Sequence, residues 1–168
     1  RLFEHVAGRH LRFVASHDNT LVRGQPFEAR HAVKLDDVAA TVGQHYADRE
    51  FAKAMREIMA LADRSNQYFD GARPWDLSKD RATAPRAREI GSECLDDFRV
   101  LTILLKPVLP ALAAKAEAFL RLPPQSWADI GRALPDGHRI DAYAHLMTRI
   151  DPKQIDALLE GPPSATAP

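Results

Sequence analysis

The chain has 168 residues, 45% of them hydrophobic, which is the size of one ordinary domain and enough to bury a core. No run approaches the roughly 18 uncharged apolar residues of a membrane helix, since the apolar stretch at Leu101 stops at Lys106 and Pro107. The 23 basic residues balance the 23 acidic ones, which excludes an affinity resting on blanket phosphate neutralisation.

Residues 1–16 place Leu2, Phe3, Val6, Phe13 and Val14 on one side of a helix, with Arg1, His5, Arg9, Arg12 and Ser16 on an adjoining stripe. Their early charges are foreign to a secretory signal, and the start at Arg1 without an initiator Met reads as a piece of something longer. Residues 1–34 hold six Lys/Arg against three acids, together with four of the seven histidines, and form the basic face. Residues 17–31, with Asn19, Gly24 and Pro26, read as a loop, and 32–46 as a second helix. Asp48 is the expected cap of a third, where Phe51, Met55, Ile58, Ala62 and Phe69 follow helical spacing to a stop near Gly71, with Pro74 just beyond.

Pro85 suits the first turn of a helix that runs to Leu105 with Ile90, Leu95, Phe98, Leu101 and Leu105 inward. "KPVLPAL" breaks it, and Pro110 starts the next helix, expected to reach Leu122. "SWADIGRALPDGHRI" is turn-rich and precedes a short closing segment, 141–159. The expected organisation is an all-α helical bundle over 1–159 and a disordered Pro- and Ala-rich tail over 160–168.

Chemistry is sparse on this scaffold. No His-x3-His or Cys pair occurs, so the histidines read as solvated surface residues and no metal is expected. The lone Cys94 excludes an internal disulfide and fits a reducing, cytoplasmic setting; mid-helix, it reads as a small core or semi-exposed residue. No nucleophile elbow or Gly-rich phosphate cradle is present, so the fragment carries neither catalytic machinery nor a cofactor of its own. Asp63 and Asp70 lie two turns apart on one helical face with Asn66 between them, on pattern alone a solvated polar face. Trp75 directly after Pro74 either plugs the core or presents a flat ring outward, and taken in isolation the plug is favoured. Trp127 reads as packing on the bundle.

"REFAKAMREIMALADRSNQYFDGARPWDLSKD" (49–80), "FRVLTILLKPVLPALAAKAEAFL" (98–120) and "GHRIDAYAHLMTRID" (137–151) together resemble the C-terminal anticodon-binding domain of bacterial methionyl-tRNA synthetase. "VAGRHLRFVA" (6–15) resembles, more weakly, the helix that precedes it in that family. The resemblance implies a helical bundle docking the anticodon loop of methionine tRNAs. An upstream catalytic domain in the parent chain, using ATP and Mg, would charge the tRNA. It also implies anticodon contacts from Arg9 and Trp75, with His5 standing where the family carries Asn. His5 is then a replacement hydrogen-bond partner or a sign of altered recognition.

Single-stranded RNA is read by stacking splayed bases on aromatics and bonding their edges. Pro74 would limit the motion of Trp75. Arg9, a donor-only fork, would match the two adjacent acceptors of the cytosine in CAU. Arg12, on the same stripe, would meet the RNA backbone, and Asp63 and Asp70 would repel misplaced phosphates beside Asn66. Arg99 and Lys106 are expected to be solvated or paired with Asp96 and Asp97, with RNA backbone as the alternative. A second reading, motivated by His5, is a helical interaction module of the same fold that no longer reads an anticodon.

Overall fold

The computed structural model describes residues 19–142 and 144–146. A short helix α1, Phe27–His31, lies within the segment expected as loop, with Phe27 and His31 buried. Helix α2, Leu35–Ala47, starts with Asp36 and Asp37 in its first turn, where carboxylates favour the positive end of the dipole. Helix α3, Phe51–Ala72, buries Ala54, Ile58, Leu61, Ala62, Ser65 and Phe69, the i, i+4, i+7 stripe that sequence periodicity requires. Pro74–Leu77 forms the one-turn α4. Helix α5, Ala84–Leu105, admits Pro85 in its first turn and buries almost every residue from Ile90 onward. It is the central helix: α3, α4 and α6 (Pro110–Phe119) all pack on it, while α2 and α1 pack on α3. A 3-10 turn, Trp127–Asp129, is held by a reciprocal Ser126/Asp129 capping box.

Two expectations at helix ends change, Asp48 as the cap of α3 and Leu122 as the end of α6, for one physical reason. Arginines, and not glycines, take the left-handed position at three helix ends: Arg49 (φ 60°), Arg73 (φ 48°) and Arg121 (φ 53°). After α2, Arg49 N–H donates to Tyr46 O (3.1 Å) and Glu50 N–H to His45 O (2.8 Å), a Schellman closure. Asp48 therefore ends α2 and does not cap α3, whose N-cap is Glu50; the Asp48 carboxylate instead accepts the Gln44 amide at 3.0 Å. A second Schellman closure (Arg121 N–H to Ala118 O, 3.0 Å; Leu122 N–H to Glu117 O, 2.9 Å) stops α6 at Phe119, short of Leu122.

The core has a main cluster between α2, α3 and α5, around Val42, Ile58 and Leu101. A second forms where Phe98 and Phe119 meet Leu21 and Ile140, and a third joins Phe69, Ile90 and Cys94. Leu21 is pinned by Leu21 N–H to His138 O (2.8 Å) and Gly137 N–H to Leu21 O (2.9 Å), beside an isolated antiparallel bridge between Thr20 and Arg139. Of the closing segment only 141–142 and 144–146 are described, and they are not helical. The tail 160–168 lies outside the described residues.

Gly24 is required by a close approach and not by a turn. A Cβ there would overlap the Glu93 side chain. Glu93 cannot swing away, because it is buried and accepts from Gln25 N–H (2.6 Å), the Tyr68 hydroxyl and Arg86 (3.0 Å). Gly24→Ala is expected to lower unfolding stability by about 1–3 kcal/mol. By contrast, Gly71→Ala, at an exposed helical site with nothing near the added methyl, is expected to raise it by about 0.5–1 kcal/mol. Urea midpoints of the two variants should move in opposite directions; movement of both the same way would refute the account.

Candidate nucleic-acid interface

Trp75 sits at the far end of α3, where Phe69 and Pro74 fix its surroundings. Arg73 N–H donates to Phe69 O (3.1 Å), the single bond of a left-handed helix stop, and Pro74 then cannot continue the helix. Pro74 is buried, whereas Trp75 is 39% exposed. The indole rests on the Phe69 ring, centroids 5.8 Å apart and tilted by 57°. Trp75 is thus neither a core plug nor a free side chain: one side is seated on a buried aromatic and the rest is open. Ser78 fastens the turn by donating its N–H to Pro74 O (2.9 Å) and its hydroxyl to Trp75 O (3.1 Å).

Charge flanks the ring. Asp76 pairs with Arg73 (2.5 Å) and Lys79 (2.7 Å), leaving these three residues net positive. The Lys79 ammonium, and then the Arg73 guanidinium, hold the Asp76 carboxyl below its usual range. Asp63 and Asp70 are exposed on the outer side of α3, and Asn66, four residues after Ala62 and three before Phe69, is half-buried at the edge of the buried stripe. Asp70 is near the Trp75 end, while Asp63 lies about 15 Å back along the axis from Arg73, at 1.5 Å rise per residue. His5, Arg9 and Arg12 lie outside the described residues.

The structure decides several sequence expectations here: His31 and Lys106 depart from them, while Arg99 pairs with Asp96, Cys94 lies in the core and Trp127 packs on the bundle as expected. His31, expected on the surface, is 7% exposed and bonded through Nε2 to Asp97 (2.9 Å). Arg99 is not solvated: it is 2% exposed, pairs with Asp96 (2.8 Å) and donates to Asp129 O (2.7 Å) and Ile130 O (3.2 Å). Lys106 pairs with Glu117 (2.6 Å) and donates to Gln125 O (2.8 Å), not to Asp96 or Asp97. Both cations are bonded within the fold. Cys94 is fully buried, and burial pushes its thiol pKa well up. Trp127 packs against the main core, 6.4 Å from Tyr46.

Between α1, α3 and α5 lies a buried polar network that no sequence pattern announced. Asp97 accepts two bonds from Arg30 (2.7 and 2.9 Å), one from Ser65 (2.6 Å) and the His31 contact, tying α1 and α3 to α5. Tyr68 bonds Glu93 and accepts from Arg86 (2.8 Å); burial, then Glu93, raise its pKa. No group of three or more metal-binding side chains occurs among the described residues, and none of their helices is long and apolar enough to cross a membrane.

Residues 23–160 match the family model for the anticodon binding domain of methionyl tRNA ligase. The chain belongs to this family. It is 46% identical over 165 residues to a methionine–tRNA ligase of Methylibium petroleiphilum, covering 97% of this chain and 23% of that protein. It is 51% identical over 130 residues to the enzyme of an Azoarcus species, covering 77% of this chain and 18% of that protein. Among solved structures, the Mycobacterium tuberculosis methionyl-tRNA synthetase in complex with methionyl-adenylate superposes with a TM-score of 0.79 at 25% identity, over 89% of this chain and 31% of that one. This anticodon-binding domain therefore spans about a fifth of the length of the curated relatives cited.

Proposed function

We propose that this domain, over residues 1–159, receives the CAU anticodon loop of methionine tRNAs within a longer cytoplasmic chain that joins methionine to tRNA. The observation that carries the reading is the half-open Trp75 ring seated on Phe69. An exposed, pre-oriented indole offers a face to a splayed base, and such stacking contributes about 1–3 kcal/mol per base. Pro74 and the Ser78 bonds hold the ring in place before RNA arrives, which lowers the ordering cost of binding.

In this reading Arg9 bonds the cytosine edge, His5 takes the place of the family Asn, and Arg12 meets the RNA backbone. Asn66 offers a neutral contact at the edge of the outer face of α3, and Asp63 and Asp70 repel loops whose phosphates fall on that face. ATP and Mg belong to the catalytic part of the longer chain.

The chain has only two tryptophans, so Trp127→Phe makes Trp75 the sole indole reporter. Titration with a CAU stem-loop is expected to quench its fluorescence saturably. In a label-based assay Trp75→Ala should weaken binding roughly 5- to 150-fold, the factor that 1–3 kcal/mol represents. Equal affinity for CAU and scrambled loops would refute the reading and favour an interaction module of the same fold.

A further inference from the structure

The turn that carries Trp75 is bonded along its length. Asp76 N–H donates to Arg73 O (2.9 Å), Lys79 N–H to Asp76 O (3.2 Å) and the Thr83 hydroxyl to Leu77 O (2.6 Å), while Ala82 N–H closes on the Asp80 carboxylate (2.9 Å). On this fixed backbone the Asp76 carboxylate is engaged at both oxygens. Oδ2 accepts from the Arg73 guanidinium (2.5 Å) and Oδ1 from the Lys79 ammonium (2.7 Å). Lys79 thus steadies the carboxylate, and the carboxylate steadies Arg73.

Pairs this exposed contribute little to folding. Their consequence is order. A long arginine side chain has many rotamers, and a ligand that must freeze it binds less tightly. Asp76 uses one guanidinium nitrogen, and the remaining N–H groups of Arg73 meet no acceptor among the described residues. A guanidinium is a donor-only fork that fits phosphate oxygens. Asp76 follows Trp75 directly, so the fork is tethered at the rim of the indole, where a base stacked on the ring would bring its own phosphodiester. Charge at this rim favours an anion: the cations Arg73, Lys79 and Arg81 outnumber the acids Asp76 and Asp80.

We propose that Asp76 is a positioning residue for RNA, which presents the Arg73 guanidinium to a backbone phosphate of the nucleotide stacked on Trp75. The inference rests on the anticodon reading and names the group that holds the RNA backbone at that site. Trp75 takes a base, and the Asp76–Arg73 pair takes the backbone that carries it, without reading sequence. An acid then aids the binding of a polyanion, the reverse of what its charge alone would do.

The test is a label-based titration of the 168-residue chain with CAU and scrambled stem-loops, between about 50 and 200 mM salt. Arg73→Gln should weaken binding to both loops by one common factor. It should also flatten the slope of log affinity against log salt by about 0.7, the share of one single-strand phosphate contact. Asp76→Asn should weaken both loops roughly 2- to 12-fold, the cost of ordering one long side chain, without flattening that slope. In the Arg73→Gln background Asp76→Asn should weaken binding no further, because its effect passes through the guanidinium. Melting midpoints of all three variants should match wild type. Tighter binding by Asp76→Asn would overturn the proposal, since the acid would then merely oppose the phosphates. An undiminished loss in the Arg73→Gln background would overturn it too. Equal affinity of the wild type for CAU and scrambled loops would refute the anticodon reading instead, while the variants would still decide the phosphate contact.

Discussion

Asp97→Ala is expected to lower unfolding stability by about 3–5 kcal/mol, the range for removing one partner of a buried ion pair. Asp97 is 1% exposed and accepts from Arg30, His31 and Ser65, and the Arg30 side chain facing it is also only 1% exposed. Truncation therefore leaves a buried guanidinium without its carboxylate, and of the Arg30 bonds from α1 to α5 only the long contact to Glu93 O (3.4 Å) remains. At roughly 2–4 °C per kcal/mol for a domain of this size, the midpoint should fall by about 6–20 °C. Burial alone would push the Asp97 carboxyl up, but bonds from His31 and Arg30 with the Arg30 charge reverse this and hold it below its usual range. The folded acid thus binds a proton less readily than the unfolded one. Its stabilisation is complete above the unfolded value, about pH 4, and is lost as pH falls through the lower folded value. Wild type and variant should converge in acid, read as urea midpoints at pH 7 and pH 3. A gap below 1 kcal/mol at pH 7, or one that widens in acid, would sink the account. The neighbouring Asp96 is raised by burial against the opposing Arg99, so it opposes this trend, strengthening the fold as pH falls.

The second large effect concerns Arg99. Arg99→Met preserves most of the volume but removes donors from three acceptors: the Asp96 carboxylate and the carbonyls of Asp129 and Ile130. Asp129 O keeps the Arg132 N–H (3.1 Å) and Asp96 keeps the Leu134 N–H (3.3 Å), so only the Ile130 carbonyl is left without a donor, and a loss of about 1–3 kcal/mol is expected. The damage should be local as well as global, because Arg99 is the link between α5 and the 127–130 turn. Amides of Ile130 and Arg132, now bonded to Trp127 O (3.3 Å) and Asp129 O (3.1 Å), should exchange faster even where α3 amides do not. Arg99→Met with Asp96→Leu should recover the carboxylate part and not the carbonyl part. A variant within 0.5 kcal/mol of wild type would show that Arg99 is packed but not bonded in any way that matters.

The family blocks and the α3 stripe were legible because each is local. Ala54 to Phe69 repeat at helical intervals whatever surrounds them, and "ARPWDLSK" can be read without a fold. Helix ends at Arg49 and Arg121 were not legible from residue type. Sequence rules look for Gly at the left-handed position, and here carbonyl bonding and packing keep Arg there. His31 misled for a deeper reason, and the depth at which Asp97 and Arg99 lie was not legible for the same one. Residue type predicts solvation, and only neighbours distant in the chain can bury a charge and satisfy it: Asp97 meets Arg30 across 67 positions.

The sequence by itself determined the helical class, the family and the presence of a tryptophan behind a proline at the end of α3. Tertiary structure alone decided what Trp75 is. The Phe69 ring beneath it, the buried Pro74 and the left-handed Arg73 together leave the indole half seated and half open. It likewise decided that the other exposed large hydrophobics, Phe51, Val108 and Leu109, gather at the opposite end of the bundle. The physical reason is the same in both cases: burial is a property of assembled neighbours, and a linear pattern fixes which face of a helix is apolar but not what covers its ends.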